Sequence, residues 1–426
     1  MSDELSNERF RRYLLQYNTG EVLADPLLHS LRSGDIIGKI LSKRNVTPET
    51  FRNMIQLLLV PERLLLLQNT QILPALMSLL RSHCRRCRPF DDEYGFSCFE
   101  AIVFVLGIGV LAESRYLNQY IEEAAKLPGP RSTHSDYITM VDCVEQFLPS
   151  EDQQTNTAWG FDATSQMLAP ALGGFTMSDL RFVVNTLWEN RKPMFLAHTI
   201  AGTSPGWWCG LYLLWIFNER TLKDHALTDR IYAVALRLEV NSSGDKPDLL
   251  NKAMFALFQK TTRERLSLMK AALTPVDAED AEHVLAKYYQ YVHDYHRRTQ
   301  PTLGLAVVWA GDVVRWLDDL GVYLKYLDAH IETLWAGIVR EDDMPDDLMD
   351  GTPDRTAIIL VAELFLRHAE RIIGKVEPGS KAMCIRMIFK KGDFVNLMGR
   401  LIIWFSRVDV PEEMLGEWHF WLSRTS

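Results

Sequence analysis

The sequence lacks the features that mark exported, membrane-spanning or nucleic-acid-binding proteins. Its longest apolar runs, Ala101–Ala112 and Cys209–Phe217, fall well short of the roughly 20 residues that a helix needs to cross a bilayer. Residues 1–7 are polar and acidic and have no apolar core typical of a signal peptide, so we expect no export. The formal net charge of -9 disfavours nucleic acid as a partner, because affinity for phosphate backbones depends on clustered Lys and Arg.

Cysteine is also scarce, with six residues in a chain of 426. They are too few for a disulfide framework, and most lie in apolar stretches with helical periodicity, as reduced and buried thiols do. We therefore expect a reducing compartment, cytoplasmic or nuclear. The six are Cys84, Cys87, Cys98, Cys143, Cys209 and Cys384.

Strand signals are rare as well. The best candidate, residues 234–240, alternates apolar and polar side chains, but the same segment has helical periodicity through Ile231, Val234 and Leu238. Both interpretations stay open for this segment. Elsewhere no alternation of strands with helices appears, which excludes a parallel sheet with a nucleotide site at its edge.

What the sequence does contain is a repeated signal for helix starts, a short oxygen-bearing side chain followed by proline. The side-chain oxygen accepts a bond from a free backbone N–H one turn into the helix, and proline at the first helical position gives up an N–H that has no partner there. The four examples are Asp25-Pro26, Thr47-Pro48, Thr274-Pro275 and Thr352-Pro353.

Apolar stripes with helical spacing follow these starts, for example in Pro275–Arg298 and Pro353–Ile373. We predict an all-α protein, either an irregular multi-helix array or a degenerate α-helical solenoid, since no residue pattern returns at a fixed period. The polar segment 149–160 is the best divider. It predicts an N-terminal helical lobe over residues 1–148 and a C-terminal one over 161–426.

One short motif matches the nucleophile elbow of serine hydrolases, Gly-x-Ser-x-Gly at residues 202–206. In that elbow the residue after the serine supplies an N–H to the oxyanion hole, and Pro205 has none. We therefore interpret Ser204 as an N-cap and Pro205 as the first residue of a helix.

An acidic run at residues 341–350 contains two overlapping Asp-Asp-x-x-Asp strings. Within an all-α chain this resembles the magnesium-binding motif of prenyl-diphosphate and terpene synthases, which implies Asp342, Asp343 and Asp346 as metal ligands. Pro345 interrupts the first string and no second metal motif follows. A solvated loop before the predicted N-cap Thr352 is therefore the favoured interpretation.

Cys84 and Cys87 have the spacing of a zinc-ligand pair, but one pair is not a site, because a structural zinc needs four ligands. The alternative is a helix C-terminus whose cations, Arg81, Arg85, Arg86 and Arg88, interact favourably with the helix dipole. We favour no metal site and expect no cofactor.

The aromatic residues around Gly206, above all Trp207 and Trp208, combine glycine-rich backbone with bulky side chains. Most such residues pack in a core, yet Trp is also prominent in binding hot spots. With no coherent catalytic set, we expect a non-enzymatic helical scaffold or adaptor for protein partners, with this loop as the first place to look. The alternative is a magnesium-dependent enzyme acting on a prenyl-diphosphate-like substrate through the acidic run.

Overall fold

The structure, a computed structural model, describes residues 8–18, 33–69, 71–113, 116–126, 167–168, 175–203, 205–218, 223–241, 274–295, 310, 313, 320–342, 362 and 394–405. The chain divides into two compact units, Met1–Val276 (unit 1) and Asp277–Ser426 (unit 2). Of the described residues, 86% are helical, which confirms the all-α class. None of the described helices is long and apolar enough to span a bilayer.

Thirteen α-helices are described, numbered here in chain order. Those of unit 1 are α1 Glu8–Asn18, α2 Ser33–Ser42, α3 Pro48–Ile55, α4 Ile72–Cys84, α5 Glu93–Glu113, α6 Leu117–Lys126, α7 Met177–Glu189, α8 Arg191–Ala201, α9 Pro205–Phe217 and α10 His225–Asn241. Two 3-10 helices, Gln56–Leu59 and Pro61–Gln68, connect α3 to α4. Those of unit 2 are α11 Ala278–Tyr295, α12 Leu320–Asp342 and α13 Phe394–Phe405.

Helix starts follow local chemistry. The hydroxyl of Thr47 accepts the N–H of Thr50, whose own hydroxyl accepts the N–H of Thr47, and Pro48 is the first helical residue of α3. Thr176 and Asp179 form the same reciprocal capping box at the start of α7. The helix start predicted at Thr47-Pro48 is therefore confirmed.

The start predicted at Pro275 is wrong by three residues, since α11 begins at Ala278. A carboxylate oxygen of Asp277 accepts the N–H of Asp280 at 2.8 Å, so Asp277 is the cap. Asp is at least as good an N-cap as Thr and lies closer to the apolar stripe. The starts predicted at Asp25-Pro26 and Thr352-Pro353 lie outside the described residues.

The central helix of unit 1 is α5, which is buried on all sides from Phe96 to Ile108. It contacts α3, α4, α6, α9 and the 3-10 helix Pro61–Gln68. A helix that is apolar around its whole circumference is stable in water only when other helices cover every face. The helix begins at Glu93 because the carboxylate of Asp92 accepts the N–H of Gly95.

Two further helices of unit 1 are covered almost as fully. Helix α9 packs on α5 at a close approach, where a Cβ added to Gly210 would lie 3.0 and 3.1 Å from the two methyl carbons of Val103. Helix α10 contacts α7, α8 and α9 and is buried from Ile231 to Asn241. The helical interpretation of residues 234–240 is thus confirmed. The outer helix α1 packs on α8.

The described part of the chain contains little strand. Met167–Leu168 and Phe175–Thr176 form a short antiparallel pair, and the second of these leads directly into α7. In unit 2, α12 contacts both α11 and α13. The polar linker predicted at 149–160 lies outside the described residues, so the lobe division stays a prediction.

Candidate functional site

The glycine-rich loop singled out from the sequence leads into the interior of unit 1. Helix α9 begins at Pro205, as predicted, and Gly202 before it has a φ of 75° that suits glycine. Gly206 is buried, and the side chains of Trp207 and Trp208 are only 1% and 2% exposed. Ser204 lies outside the described residues. Partner binding by this loop stays a prediction, and it would require α9 to separate from the helices around it.

Trp207 belongs to a buried polar cluster that we define as Tyr13, Ser97, Glu100, His198 and Trp207. Its indole N–H donates to the carboxylate of Glu100 at 2.6 Å. The imidazole of His198 stands edge-on to the indole, with ring centroids 4.6 Å apart. Tyr13 and Ser97 share a hydrogen bond of 2.8 Å between their hydroxyl oxygens. These contacts join α1, α5, α8 and α9 through polar groups in an otherwise apolar core.

Burial sets the protonation states in this cluster. It raises the pKa of Tyr13 to about 12, against the smaller lowering effect of the Ser97 hydrogen bond. It lowers the pKa of His198 to about 4, against the smaller raising effect of the Gly202 carbonyl. A low dielectric around a group disfavours its charged form. Both side chains are therefore neutral near pH 7.

The tautomer of His198 follows from its one hydrogen bond. Nδ1 lies 3.2 Å from the carbonyl oxygen of Gly202, which can only accept, so Nδ1 carries the proton. Nε2 is then a lone-pair acceptor, and it has no hydrogen-bond partner in the part of the chain that the structure describes. A second proton would place an unpaired charge in the core.

A second buried polar group lies in unit 2. The Nδ1 of His330 donates to the carbonyl of Tyr326 at 2.7 Å, and Nε2 accepts from the hydroxyl of Tyr288 at 3.3 Å. Burial lowers the pKa of His330 to about 4 and raises that of Tyr288 well above its usual value. This arrangement links α11 to α12 and keeps both groups neutral.

The cysteines predicted as weak zinc candidates lie at the C-terminal end of α4. Cys84 is half-buried, Cys87 is exposed, and the more distant Cys98 is buried in α5. Burial, with Asp92 adding to it, raises the pKa of the Cys84 thiol to about 11. Among the described residues no group of three or more His, Cys, Asp or Glu side chains is placed to hold a metal. A zinc site that also uses residues outside the described part of the chain stays a prediction.

His83, next to the last residue of α4, contacts Asp92, the residue before the start of α5. The His83 Nε2 is 3.3 Å from a carboxylate oxygen of Asp92. Burial alone would raise the pKa of Asp92, but the His83 side chain and the N–H of Gly95 lower it on balance. Asp92 thus stays charged as the cap of α5.

The acidic run begins at the end of a helix. Asp342 is the last residue of α12, and Asp343, Asp346 and the rest of the run lie outside the described residues. The magnesium interpretation stays a prediction.

On the surface of unit 1, exposed cations from two segments lie along α4. We define the basic strip as Lys43, Arg44, Arg85, Arg86 and Arg88, all of which are exposed. The ammonium of Lys43 donates to the hydroxyl of Ser78 in α4 at 2.9 Å, so the loop after α2 lies against the helix that precedes the arginines. None of the five forms an ion pair with any described residue, whereas Arg81 is held by Asp179 at 2.7 Å.

The loop that carries Lys43 has a defined backbone conformation. Lys43 and Asn45 have φ values of 57° and 53°, in the left-handed region that side chains other than glycine rarely adopt. Such a residue costs about 1 kcal/mol, so the surrounding contacts must hold the loop in place. The Lys43 N–H donates to the Ile40 carbonyl at 3.1 Å and closes the end of α2. Lys43 is therefore presented from a defined turn.

No protein-family model, curated protein or solved structure matches this chain. Its chemistry has to be inferred from its own residues. Of these, the sequence identified the arginines after α4 but not Lys43 and Arg44, which come from a separate segment. It also identified Trp207 but not Glu100 and His198. The one available signal for these two was a charged or titratable residue within an apolar stretch.

Proposed function

We propose that this protein is a non-enzymatic helical scaffold that binds protein partners through the surface of unit 1. The observation that supports this most is the basic strip, five exposed cations brought together from two segments in a chain with a net charge of -9. Cations at the C-terminal ends of α2 and α4 interact favourably with the two helix dipoles, but bringing five like charges together costs energy. A binding partner of opposite charge gives the arrangement a purpose.

The position of the reactive groups supports the same proposal. Glu100 is 1% exposed and His198 is 0% exposed, and burial keeps His198 and Tyr13 neutral. A general acid or base must come within hydrogen-bond reach of its substrate. In the conformation described, Glu100 and His198 contact Trp207 and are shielded from solvent, and the Tyr13 hydroxyl bonds to Ser97. This is expected of side chains that fix helix packing.

Capture of partners from native cell extract tests the proposal. The full-length protein, immobilised at one terminus, is expected to retain one or more proteins in amounts comparable to its own at near-physiological salt. The control is the same protein after urea unfolding, which retains them less or not at all. Repeated captures that retain nothing in comparable amounts would contradict the proposal. So would turnover of a substrate that disappears in a folded Glu100→Gln variant.

A further inference from the structure

We infer that the basic strip binds an extended acidic segment of a protein partner, with carboxylates at about every third residue. The inference rests on the proposed function and specifies the chemistry of the partner at that surface. It follows from the spacing of the cations, from their side-chain types and from the charge of the rest of the chain.

The spacing comes from α4. Lys43 is held at Ser78, and Arg85, the C-cap residue of α4, lies seven residues after Ser78. The backbone is still helical at Arg85, with φ -73° and ψ -16°. Seven residues are nearly two full turns, so Ser78 and Arg85 lie on one face of the helix, about 10 Å apart along its axis. The strip therefore presents cations at two places, one at each end of this distance.

An extended peptide matches that distance. In polyproline II conformation the chain rises about 3.1 Å per residue and completes a turn every three residues. Side chains at positions i and i+3 then point in the same direction, about 9 Å apart. A segment with Asp or Glu at every third position can thus place one carboxylate at Lys43 and the next at Arg85.

The cations themselves favour carboxylates. A guanidinium group offers N–H donors in a planar fork that fits a carboxylate with two parallel bonds. Arg85 and Arg86 are adjacent and exposed, so either can serve one end of the segment. Lys43 uses one donor on Ser78, and an ammonium group has three. The strip can therefore accept two carboxylates without breaking any contact described here.

The rest of the molecule disfavours broad anionic surfaces. A bilayer or a nucleic acid would extend beyond a strip of five cations and meet the repulsion of a chain with a net charge of -9. A carboxyl group also lies at the end of the strip. Burial raises the pKa of Asp91, and the nearby Arg88 guanidinium lowers it by a smaller amount. A narrow peptide confined to the strip avoids the repulsion of the acidic surface and the carboxyl group of Asp91.

Fluorescence polarisation tests the inference with a labelled peptide of repeated Asp-Pro-Ser units, about twelve residues long. One control peptide replaces every Asp by Asn. A second has the same composition with its Asp residues contiguous. The full-length protein is expected to bind the spaced peptide more tightly than either control, and to lose affinity as NaCl is raised from about 50 to about 300 mM. If the spaced and contiguous peptides bind equally, the inferred spacing of carboxylates is wrong. If the Asn peptide binds as tightly as the Asp peptide, carboxylates do not drive the binding.

Two double variants test whether the peptide binds at the basic strip. In the first, Lys43→Glu with Arg85→Glu reverses both ends of the strip and is expected to weaken binding about tenfold or more. In the second, Arg11→Glu with Arg12→Glu makes the same charge change on exposed residues of α1 and should alter binding by about twofold at most. Equal losses in the two would overturn the inference. Lys43→Gln with Arg85→Gln, each variant checked for native helix content, keeps the test valid if charge reversal impairs folding.

The outcomes separate this inference from the proposed function. If the strip variant retains the same captured partners as the unaltered protein, the inference fails while the scaffold function stands. If the unaltered protein captures no partner, the scaffold function fails whatever the peptide does.

Discussion

Trp207 donates its indole N–H to a carboxylate oxygen of Glu100 across 2.6 Å, and both side chains are 1% exposed. The two residues lie 107 positions apart in the sequence and fix α9 against α5. Breaking a hydrogen bond between groups buried this deeply removes a partner from a polar atom that water cannot reach, and this costs roughly 1–3 kcal/mol.

We predict that the contributions of Trp207 and Glu100 to stability depend on each other through this bond. Trp207→Phe removes the donor and leaves the carboxylate with one bond fewer, so the free energy of unfolding should fall by about 2–4 kcal/mol. Glu100→Gln keeps an acceptor oxygen and should cost about 1 kcal/mol. A double-mutant cycle of Trp207→Phe with Glu100→Met, which removes the acceptor, is followed by circular dichroism in urea and should give a coupling of about 1 kcal/mol or more. Strictly additive effects would contradict the bond.

Replacing two glycines of unit 1 by alanine should change the stability of the protein in opposite directions. A Cβ on Gly95 would lie 2.1 Å from the carbonyl oxygen of Pro89 and 2.5 Å from its Cα, so Gly95→Ala must displace backbone and should cost about 3 kcal/mol or more. Gly38, at an exposed position of α2, has nothing within 4 Å of an added Cβ. Gly38→Ala should therefore stabilise by about 0.5–1 kcal/mol. Thermal unfolding of the two variants decides. A Gly95→Ala variant as stable as the unaltered protein would refute the close approach at Pro89.

The contact between α9 and α5 can be tested by overpacking and rescue. Gly210→Ala brings a methyl group to 3.0 Å from Val103 and should destabilise by about 1–3 kcal/mol. Val103→Ala removes the opposing methyls and destabilises by itself. The double variant should be more stable than the sum of the two losses predicts. If the double variant loses as much stability as the two single variants together, Gly210 does not face Val103.

His198 predicts how stability changes with pH. Its pKa is about 4 in the folded protein and near 6.5 when unfolded, so between these values the unfolded chain binds more protons. Stability should therefore fall as the pH is lowered from about 6.5 to about 4, by roughly 3 kcal/mol from this residue. Above about pH 6.5 the residue contributes no slope.

The measurement is urea unfolding across that pH range. His198→Gln should be less stable near neutral pH but should show a shallower decline toward acid. His225→Gln, at an exposed position in the first turn of α10, is the control and should leave the decline unchanged. If His198→Gln declines as steeply as the unaltered chain, the buried neutral state is wrong.

The sequence predicted those parts of the fold that depend on neighbouring residues. The capping box of Thr47 and Thr50 involves residues three apart, and the start of α9 depends on one proline, so both were accessible. The start of α11 was misplaced because Thr274 and Asp277 are both good caps, and only the structure shows which one the helix uses. Helix α2 was missed although four of its ten residues are apolar and have helical spacing, since its two glycines disfavour a helix.

The candidate sites were less predictable for a physical reason. Lys43 and Arg85 come together because α2 packs on α4, a long-range contact that no local pattern encodes. Similarly, Trp207 suggested a binding surface because bulky aromatic residues occur both in cores and at interfaces. Its partner Glu100, more than a hundred positions earlier, decides that the indole lies inside in the conformation described.

The order in which the chain leaves the ribosome gives the burial of α5 a further meaning. Helix α9 is made about a hundred residues after α5, which at a synthesis rate of about 5–20 residues per second is a delay of roughly 5–20 s. Throughout that interval one apolar side of α5 has no native cover. Nascent chains stalled before Pro205 should therefore engage chaperones and be sensitive to protease within α5, and this sensitivity should disappear once Phe217 has emerged.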